Sequence, residues 1–243
     1  MTGAIGMMFG NQSPTVAAAA PAPAGASLFN DASVTNNFLG GDFGTANPIG
    51  TGNYTCEFWS YNTDTGSNVR CLWDCRPNGG SDATGFAIRQ NSTGDWFHIY
   101  RQSVSNTFSG RVNNVWQHVC VMRSGSTVYY FVDGVLQTSS SNDAGTQNYT
   151  GNAWRVSGFR DDAATANQLK GYQDEFRLSK VARYSTGGFT PATSAFTSDS
   201  DTVLLFHYDG DNNGTVFTDS GPDNRTITRT GSIIVTSTAQ VKF

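Results

Sequence analysis

The stretch VCVMRSGSTVYYFVDGVLQ, residues Val119 to Gln137, decides the fold. It contains two hairpin signals, Ser-Gly-Ser at 124–126 and Asp-Gly at 133–134, and each lies between runs of β-branched and aromatic residues. Such short Gly-containing pairs favour the tight turns that join antiparallel strands. The stretch therefore predicts an antiparallel β-meander.

The sequence on both sides of this meander repeats the same pattern, short β-type segments separated by Gly, Asn, Asp and Ser turns. No segment shows helical periodicity over a full helix length, and a parallel sheet would need crossover helices. The sequence therefore predicts an all-β protein built as a two-sheet antiparallel sandwich. The clearest predicted strands are Tyr54 to Tyr61, Val69 to Trp73, Gly85 to Gln90, Asp95 to Arg101, Val115 to Arg123, Thr127 to Val132, Ala153 to Phe159, Gly171 to Leu178 and Thr202 to Tyr208.

The composition fits one sandwich and excludes some partners. Of the 243 residues, 37% are hydrophobic and 12% aromatic, which is enough bulky material to fill a core. Only 14% are charged, the formal net charge is -4, and no run is rich in Lys or Arg. Because nucleic-acid binding depends on cationic side chains that neutralise phosphates, we expect no nucleic-acid partner. No apolar stretch is long enough for a membrane span, and none is expected.

Residues 1–27 differ in composition from the rest of the chain and are predicted to form an N-terminal arm, an anchor peptide followed by an Ala/Pro linker. The apolar side chains of its anchor peptide are Ile5, Met7, Met8 and Phe9. Since such side chains are costly to expose to water, we expect them to insert into a partner. The alternatives are a frayed terminus or an edge strand on the chain's own domain. Residues 28–243 are predicted to form a single sandwich.

Three segments of the chain resemble one family. WQHVCVMRSGSTVYYFVDG (Trp116 to Gly134) resembles the laminin G-like signature of Trp-x-His-Val, a hairpin and a strand that ends in Val-Asp-Gly. GYQDEFRLSKVARY (Gly171 to Tyr184) resembles the late strand of the same family, and FGTANPIGTGNYTCEFW (Phe43 to Trp59) its early strand. The resemblance implies a laminin G-like, concanavalin A-like jelly-roll sandwich.

The C-terminal block, Asp201 to Phe243, resembles a segment that opens a domain in this family, where it runs into a segment like Gly25 to Phe29. Here the block closes the chain, which indicates a circular permutation. The strands of residues 201–243 would then complete the chain's own sandwich or, by strand exchange, that of a neighbour. Self-completion is the simpler expectation, because the termini of sandwiches often lie close together.

The VARY-x-x-x-x-FTP run, Val181 to Pro191, is similar to domains found on the particles of phages, marine phages in particular. This resemblance implies a phage virion structural protein at the virion surface, a capsid decoration or a fibre or tail subunit, that serves adhesion or reinforcement. Its expected partners are other virion proteins of the capsid or tail, bound through the arm, and cell-surface glycans. Several laminin G-like relatives are multimeric, so a homo-oligomer is expected. The alternative function is a soluble carbohydrate-binding lectin domain.

The sequence lacks the carboxylates of an enzyme of this fold. Concanavalin A-like glucanases carry alternating carboxylates on one strand, where they serve as nucleophile and acid. The segment Tyr54 to Tyr61 offers only Glu57. Asp174 and Glu175 are adjacent, so their side chains should point to opposite faces of a strand. We therefore expect a binding or structural module and not an enzyme.

Calcium is the one candidate cofactor that the resemblance implies, because related lectin-like sandwiches bind this ion through carboxylates and loop carbonyls. Its candidate ligands are Asp31, Asp174 and Glu175. The alternative interpretation is that these carboxylates cap turns and pair with Arg177 or Arg183.

Four aromatic side chains are candidate platforms for stacking on sugar faces: Tyr61, Trp73, Trp96 and Trp154. Since a sandwich buries every second residue of a strand, core packing is the alternative interpretation for most of them.

Overall fold

Fifteen β-strands form the regular structure in the computed structural model, which describes residues 27–31, 36–66, 68–76, 84–101, 104–141, 146–159 and 167–236. In chain order they are β1 (Ser27–Asn30), β2 (Phe38–Asp42), β3 (Tyr54–Asn62), β4 (Arg70–Asp74), β5 (Ala87–Gln90), β6 (Trp96–Arg101), β7 (Val104–Phe108), β8 (Trp116–Ser124), β9 (Thr127–Val132), β10 (Val135–Ser140), β11 (Ala153–Val156), β12 (Gly171–Ser179), β13 (Thr202–Phe206), β14 (Thr228–Thr230) and β15 (Ile234–Thr236). In this described part of the chain, no helix is long and apolar enough to cross a membrane.

The strands form two sheets. The first sheet has eight strands and runs in the order β10-β9-β8-β3-β12-β1-β15, with β13 paired to β12 next to β1. The second sheet has seven strands in the order β14-β2-β11-β4-β5-β6-β7. Every pairing between these strands is antiparallel. The predicted all-β, two-sheet antiparallel sandwich is confirmed.

The core lies between the two sheets and is filled largely by aromatic rings. Alternate residues of β3, Tyr54 and Phe58 among them, are completely buried there, so the positions that alternate with them point to the outer face of the first sheet. Trp73 of β4 stacks on Phe176 of β12 with ring centroids 4.9 Å apart, which joins the sheets across the core. Burying side chains of this size supplies much of the stability of a sandwich.

Residues 180–201, which we call the covering segment, contain no strand and lie against the outer face of the first sheet. The Phe189 and Phe196 rings contact the ring of His118 in β8 at 5.6 and 6.1 Å. The Thr55 hydroxyl of β3 donates a hydrogen bond to the Val181 carbonyl at 2.8 Å. The covering segment therefore buries a large part of a face that would otherwise meet solvent.

The C-terminal strands pair with strands of the same chain. β13 pairs with β12, β15 pairs with β1, and β14 pairs with β2 of the second sheet. Both sheets thus receive C-terminal strands.

Candidate functional site

Four aromatic side chains lie in one line across the outer face of the first sheet, and we call them the aromatic row. Phe29 of β1 is directly opposite Tyr172 of β12, which is opposite Tyr61 of β3, which is opposite Trp116 of β8. The ring centroids of successive members are 5.0, 5.7 and 5.7 Å apart. Residues that face each other across neighbouring strands share one side of a sheet, so the register alone places the four rings together.

Three rings of the aromatic row are not fully covered. Phe29, Tyr61 and Tyr172 are half-buried, and Trp116 is 8% exposed. Trp59, two residues before Tyr61 on the same face, is fully buried and clusters with Phe196 of the covering segment. The covering segment therefore ends beside the row and leaves three of its rings accessible.

The rings of the aromatic row support one another. Successive planes are inclined at 40°, 73° and 58°, the tilted and edge-on arrangements that aromatic rings prefer. Such packing fixes each ring before a ligand arrives, so little side-chain entropy is lost on binding. The hydroxyl groups of Tyr61 and Tyr172 form no hydrogen bond within the described part of the chain. Both are therefore available to a polar ligand.

The structure changes the set of sugar-stacking candidates. Trp73, Trp96 and Trp154 are 0%, 1% and 0% exposed and belong to the core between the sheets. A ring without an exposed face cannot stack on a sugar, so the assignment of these three residues as platforms is corrected. Tyr61 lies in the aromatic row. Phe29, Trp116 and Tyr172 were missed, because only the strand register brings them next to Tyr61.

Glu57, the single carboxylate of its strand, is held in a buried network beneath the covering segment. Its Oε1 accepts hydrogen bonds from Arg177 Nε at 2.9 Å and Nη2 at 2.7 Å. Its Oε2 accepts one from the Tyr184 hydroxyl at 2.6 Å and lies 3.1 Å from His118 Nε2. Both carboxylate oxygens are thus occupied by side chains of the chain itself.

The pKa of Glu57 is lowered from its usual value, although burial by itself would raise it. The hydrogen bond from His118 and the charge of Arg177 outweigh the loss of solvent. A fully buried carboxylate that stays ionised and is bonded at both oxygens serves to hold the fold together. This arrangement differs from the accessible acid or nucleophile of a glycosidase.

The candidate calcium ligands do not converge. Asn30 pairs with Gly171 and Leu28 with Gln173, so Asp31 follows one end of the β1–β12 pair while Asp174 lies toward the other. Asp31 and Asp174 are therefore four residue positions apart along the strands, which corresponds to roughly 13 Å at the usual rise per residue of a β-strand. The residues that the structure describes contain no cluster of three His, Cys, Asp or Glu side chains suited to a metal. The calcium site expected from Asp31, Asp174 and Glu175 is therefore not formed.

Glu175 has a different role. The pairing of β12 with β3 shifts register between Asp174 and Arg177, and Glu175 in this bulge has a φ of 48°, in the left-handed region. Its carboxylate accepts a hydrogen bond from the Phe196 backbone N–H at 2.7 Å and lies 2.9 Å from His207 Nδ1. The hydrogen bond to Glu175 raises the pKa of His207.

The arginines also bind other partners than expected. Arg177 pairs with Glu57, and Arg183 pairs with Asp199 of the covering segment at 2.7 Å. Glu175 pairs with neither arginine among the described residues, since its carboxylate meets the Phe196 N–H and His207. The expected anchor residues Ile5, Met7, Met8 and Phe9 lie outside the described residues.

Comparisons with known proteins agree on the fold. A family model described as the concanavalin A-like lectin/glucanases superfamily, laminin G type, matches residues 39–186. A search among curated proteins finds no match. Among solved structures, a proposed carbohydrate-binding protein of Bacteroides ovatus is similar, with a TM-score of 0.57 and 15% identity over 91% of this chain and 63% of that one. This chain thus spans less than two thirds of that relative.

Two further solved structures are similar. The heptameric SAP-like pentraxin of Limulus polyphemus matches with a TM-score of 0.55 and 12% identity over 89% of this chain and 98% of the pentraxin. A leech intramolecular trans-sialidase matches with a TM-score of 0.50 and 12% identity, over 70% of this chain and 29% of the enzyme. At such identities these likenesses concern the fold alone.

Proposed function

Because the chain belongs to the concanavalin A-like lectin/glucanases superfamily, whose model matches residues 39–186, we propose that it is a non-catalytic glycan-binding module displayed on the surface of a phage virion. Lectins are among the proteins that have this fold, but a fold alone does not determine function. The binding site is therefore proposed from this chain's own residues. The arm of residues 1–27 would attach the module to the capsid or tail.

The aromatic row carries the proposal for glycan binding. The faces of sugar rings present C–H groups, which pack on aromatic rings, while sugar hydroxyls need hydrogen-bond partners. Half-buried Tyr61 and Tyr172, in neighbouring strands, each offer a ring and a hydroxyl that no described residue binds. Nucleic-acid bases also stack on aromatic rings, but such sites combine stacking with a cationic groove. The chain's 15 Lys and Arg against 19 Asp and Glu do not favour that ligand.

The non-catalytic part of the proposal is supported by Glu57. This carboxylate is 0% exposed and bonded to Arg177, His118 and Tyr184, so it has no path to a substrate in this conformation. The trans-sialidase relative does not oppose this, since the chain matches only 29% of that enzyme. Incubation of the chain with the glycans that it binds should release no sugar.

Display on a virion is supported by the resemblance of Val181 to Pro191 to phage-particle domains and by the apolar anchor peptide. A rival proposal is a free lectin that needs no arm. Deletion of residues 1–26 should abolish incorporation into particles and leave glycan binding intact. If the truncated chain still enters particles, the anchoring role is excluded and the free lectin is favoured.

An array of cell-surface oligosaccharides tests the binding site. We expect the full chain to bind a subset of the array, and Tyr61→Leu and Tyr172→Leu each to weaken that binding about ten-fold or more, since a large ring is lost from the contact. Phe97→Leu is the matched control, because Phe97 is a half-buried aromatic residue of the second sheet. Thermal unfolding of all variants shows whether they remain folded.

Two results would contradict the proposed site. One is binding by both tyrosine variants at the strength of the unchanged chain. The other is equal loss in the Phe97 variant, which would move the site to the second sheet. Absence of binding to every oligosaccharide would exclude the lectin function itself.

A further inference from the structure

On one side of the sandwich, two strand edges have no partner among the strands that the structure describes. β10 ends the first sheet and β7 ends the second, and no other described strand pairs with their outer sides. The two edges lie close together, since the Ser109 hydroxyl just after β7 donates a hydrogen bond to Gln137 Oε1 of β10 at 3.3 Å. On the opposite side of the molecule the edges are β14 and β15, which are three residues long, and β13, where Leu205 is hydrogen-bonded to Asp219 and Ser220.

The residues of these two edges carry few of the features that usually protect an edge strand against pairing. Proteins protect edge strands with short length, charged side chains, Pro or bulges. β10 has the sequence VLQTSS and β7 the sequence VSNTF, without a charged residue or Pro in either. A single register shift, between Leu136 and Thr138, interrupts the pairing of β10 with β9. By contrast, β14 and β15 are protected because they are only three residues long. The difference marks the β7 and β10 side as the one suited to a partner.

Apolar side chains are exposed next to the same edge. Val135 and Leu136 at the start of β10 are 52% and 37% exposed, and Val112 and Val115 in the loop before β8 are 50% and 41% exposed. These are four of the five large hydrophobic side chains that are exposed in the described part of the chain. Such clustering is typical of an interaction surface, whereas scattered single residues are not.

The loop and the start of β10 are held together by one side chain. Gln117 of β8 accepts a hydrogen bond from the Val112 backbone N–H at 2.6 Å. Its amide nitrogen donates to the Gly110 carbonyl at 2.7 Å and to Asp133 Oδ2, in the turn before β10, at 3.3 Å. The exposed valines and the strand edge therefore form one continuous surface.

We propose that this surface is the interface between two copies of the chain, related by a two-fold axis that pairs the two β10 strands antiparallel. A two-fold interface requires a surface that complements itself. An uncharged edge can meet its own copy without repulsion, although the whole chain has a net charge of -4. Pairing would satisfy the outer backbone groups of β10 and cover Val135 and Leu136.

The interface does not depend on glycan binding, but it would affect how strongly the protein binds a glycan-covered surface. The aromatic row runs over β1, β12, β3 and β8, away from β10, so two copies joined at β10 would each keep an open row. Two rows on one particle would raise the apparent affinity for a surface that carries many glycans.

Sedimentation velocity of the full chain, from about 1 to 100 µM, tests the interface. We expect a concentration-dependent dimer, and Leu136→Lys should weaken the self-association about ten-fold or more, because a lysine on the edge strand of each copy opposes strand pairing. Val216→Lys is the control, since Val216 is 76% exposed and lies between β13 and β14. Thermal unfolding confirms that both variants are folded.

Three outcomes would overturn the interface. The full chain could sediment as a monomer at every concentration, or the Leu136→Lys variant could dimerise as strongly as the unchanged chain. In the third outcome, deletion of residues 1–26 abolishes the dimer while Leu136→Lys leaves it intact, which would assign self-association to the arm. A glycan array with the same proteins separates these failures from failure of the proposed lectin function.

Discussion

Glu57 illustrates how a single buried charge is stabilised in this protein. Its partners His118, Arg177 and Tyr184 are 61, 120 and 127 positions away in the sequence. The sequence identifies Glu57 as the single carboxylate of its strand, but it cannot identify partners that only the completed sheet and its covering segment bring together. Removing one member of such a network leaves the others buried and unpaired.

We expect Glu57→Gln to lower the free energy of unfolding at pH 7 by about 3 kcal/mol, because it breaks a buried ion pair. Since the pKa of Glu57 is lower in the folded chain than in the unfolded chain, its contribution is complete above about pH 4.3 and is lost as the pH falls through the folded pKa. The variant should therefore lose less stability than the unchanged chain on acidification. Urea unfolding between neutral and acidic pH measures both effects.

Asp223→Asn is the control for this prediction. Asp223 also pairs with an arginine, Arg225, but its side chain is 57% exposed. Ion pairs at the surface contribute at most about 1 kcal/mol. Equal losses of unfolding free energy in the two variants would show that the buried Glu57 network stabilises the fold no more than an exposed ion pair does.

At the scale of elements, strong periodicity made the long strands predictable. β3, β8, β9 and β12 all lie where the sequence predicts strands, with ends that differ by a residue or so. The short strands were missed, for example β2 with the sequence FLGGD and β14 with the sequence TRT. FLGGD has low intrinsic strand propensity, and TRT is too short to show an alternating pattern. Both become strands because neighbouring strands supply hydrogen-bond partners.

The turn between β9 and β10 gives a prediction about a single glycine. Asp133 and Gly134 have φ values of 51° and 74°, as the predicted Asp-Gly hairpin requires. A Cβ on Gly134 would lie 1.9 Å from the Phe189 carbonyl oxygen of the covering segment. We expect Gly134→Ala to cost about 3 kcal/mol, because backbone strain and a steric clash act together.

Gly125→Ala in the neighbouring hairpin separates the two causes. Gly125 has a φ of 60°, but a Cβ there would meet no atom within 4 Å. We expect a smaller cost, about 1 kcal/mol, from backbone strain alone. Chemical denaturation of both variants measures the difference, and equal costs would contradict the close contact between the hairpin and the covering segment.

At the scale of the whole molecule, the fold was predictable and the site was only partly so. Hairpin signals, aromatic content and the absence of helical periodicity were sufficient for the two-sheet sandwich. Of the aromatic row, the sequence identified Tyr61 alone. Phe29, Trp116 and Tyr172 come from distant parts of the chain and become neighbours only through the register of four strands.

The burial of the tryptophans could not be predicted from the sequence either. Trp73 lies in β4, which is buried at every position, so its sequence does not distinguish inward from outward positions. The covering segment was also not predicted as a separate layer, although its sequence from Val181 to Pro191 was singled out. Which face it covers determines which aromatic rings stay open.

The most direct measurement is a crystal structure of the full chain with the oligosaccharide that binds most tightly on the array. We expect a sugar ring to lie with its face about 4 Å from the rings of Tyr61 and Tyr172, with its hydroxyl groups bonded to theirs. A sugar bound to the second sheet or to the loops, with the aromatic row free of ligand, would contradict the site proposed for this protein.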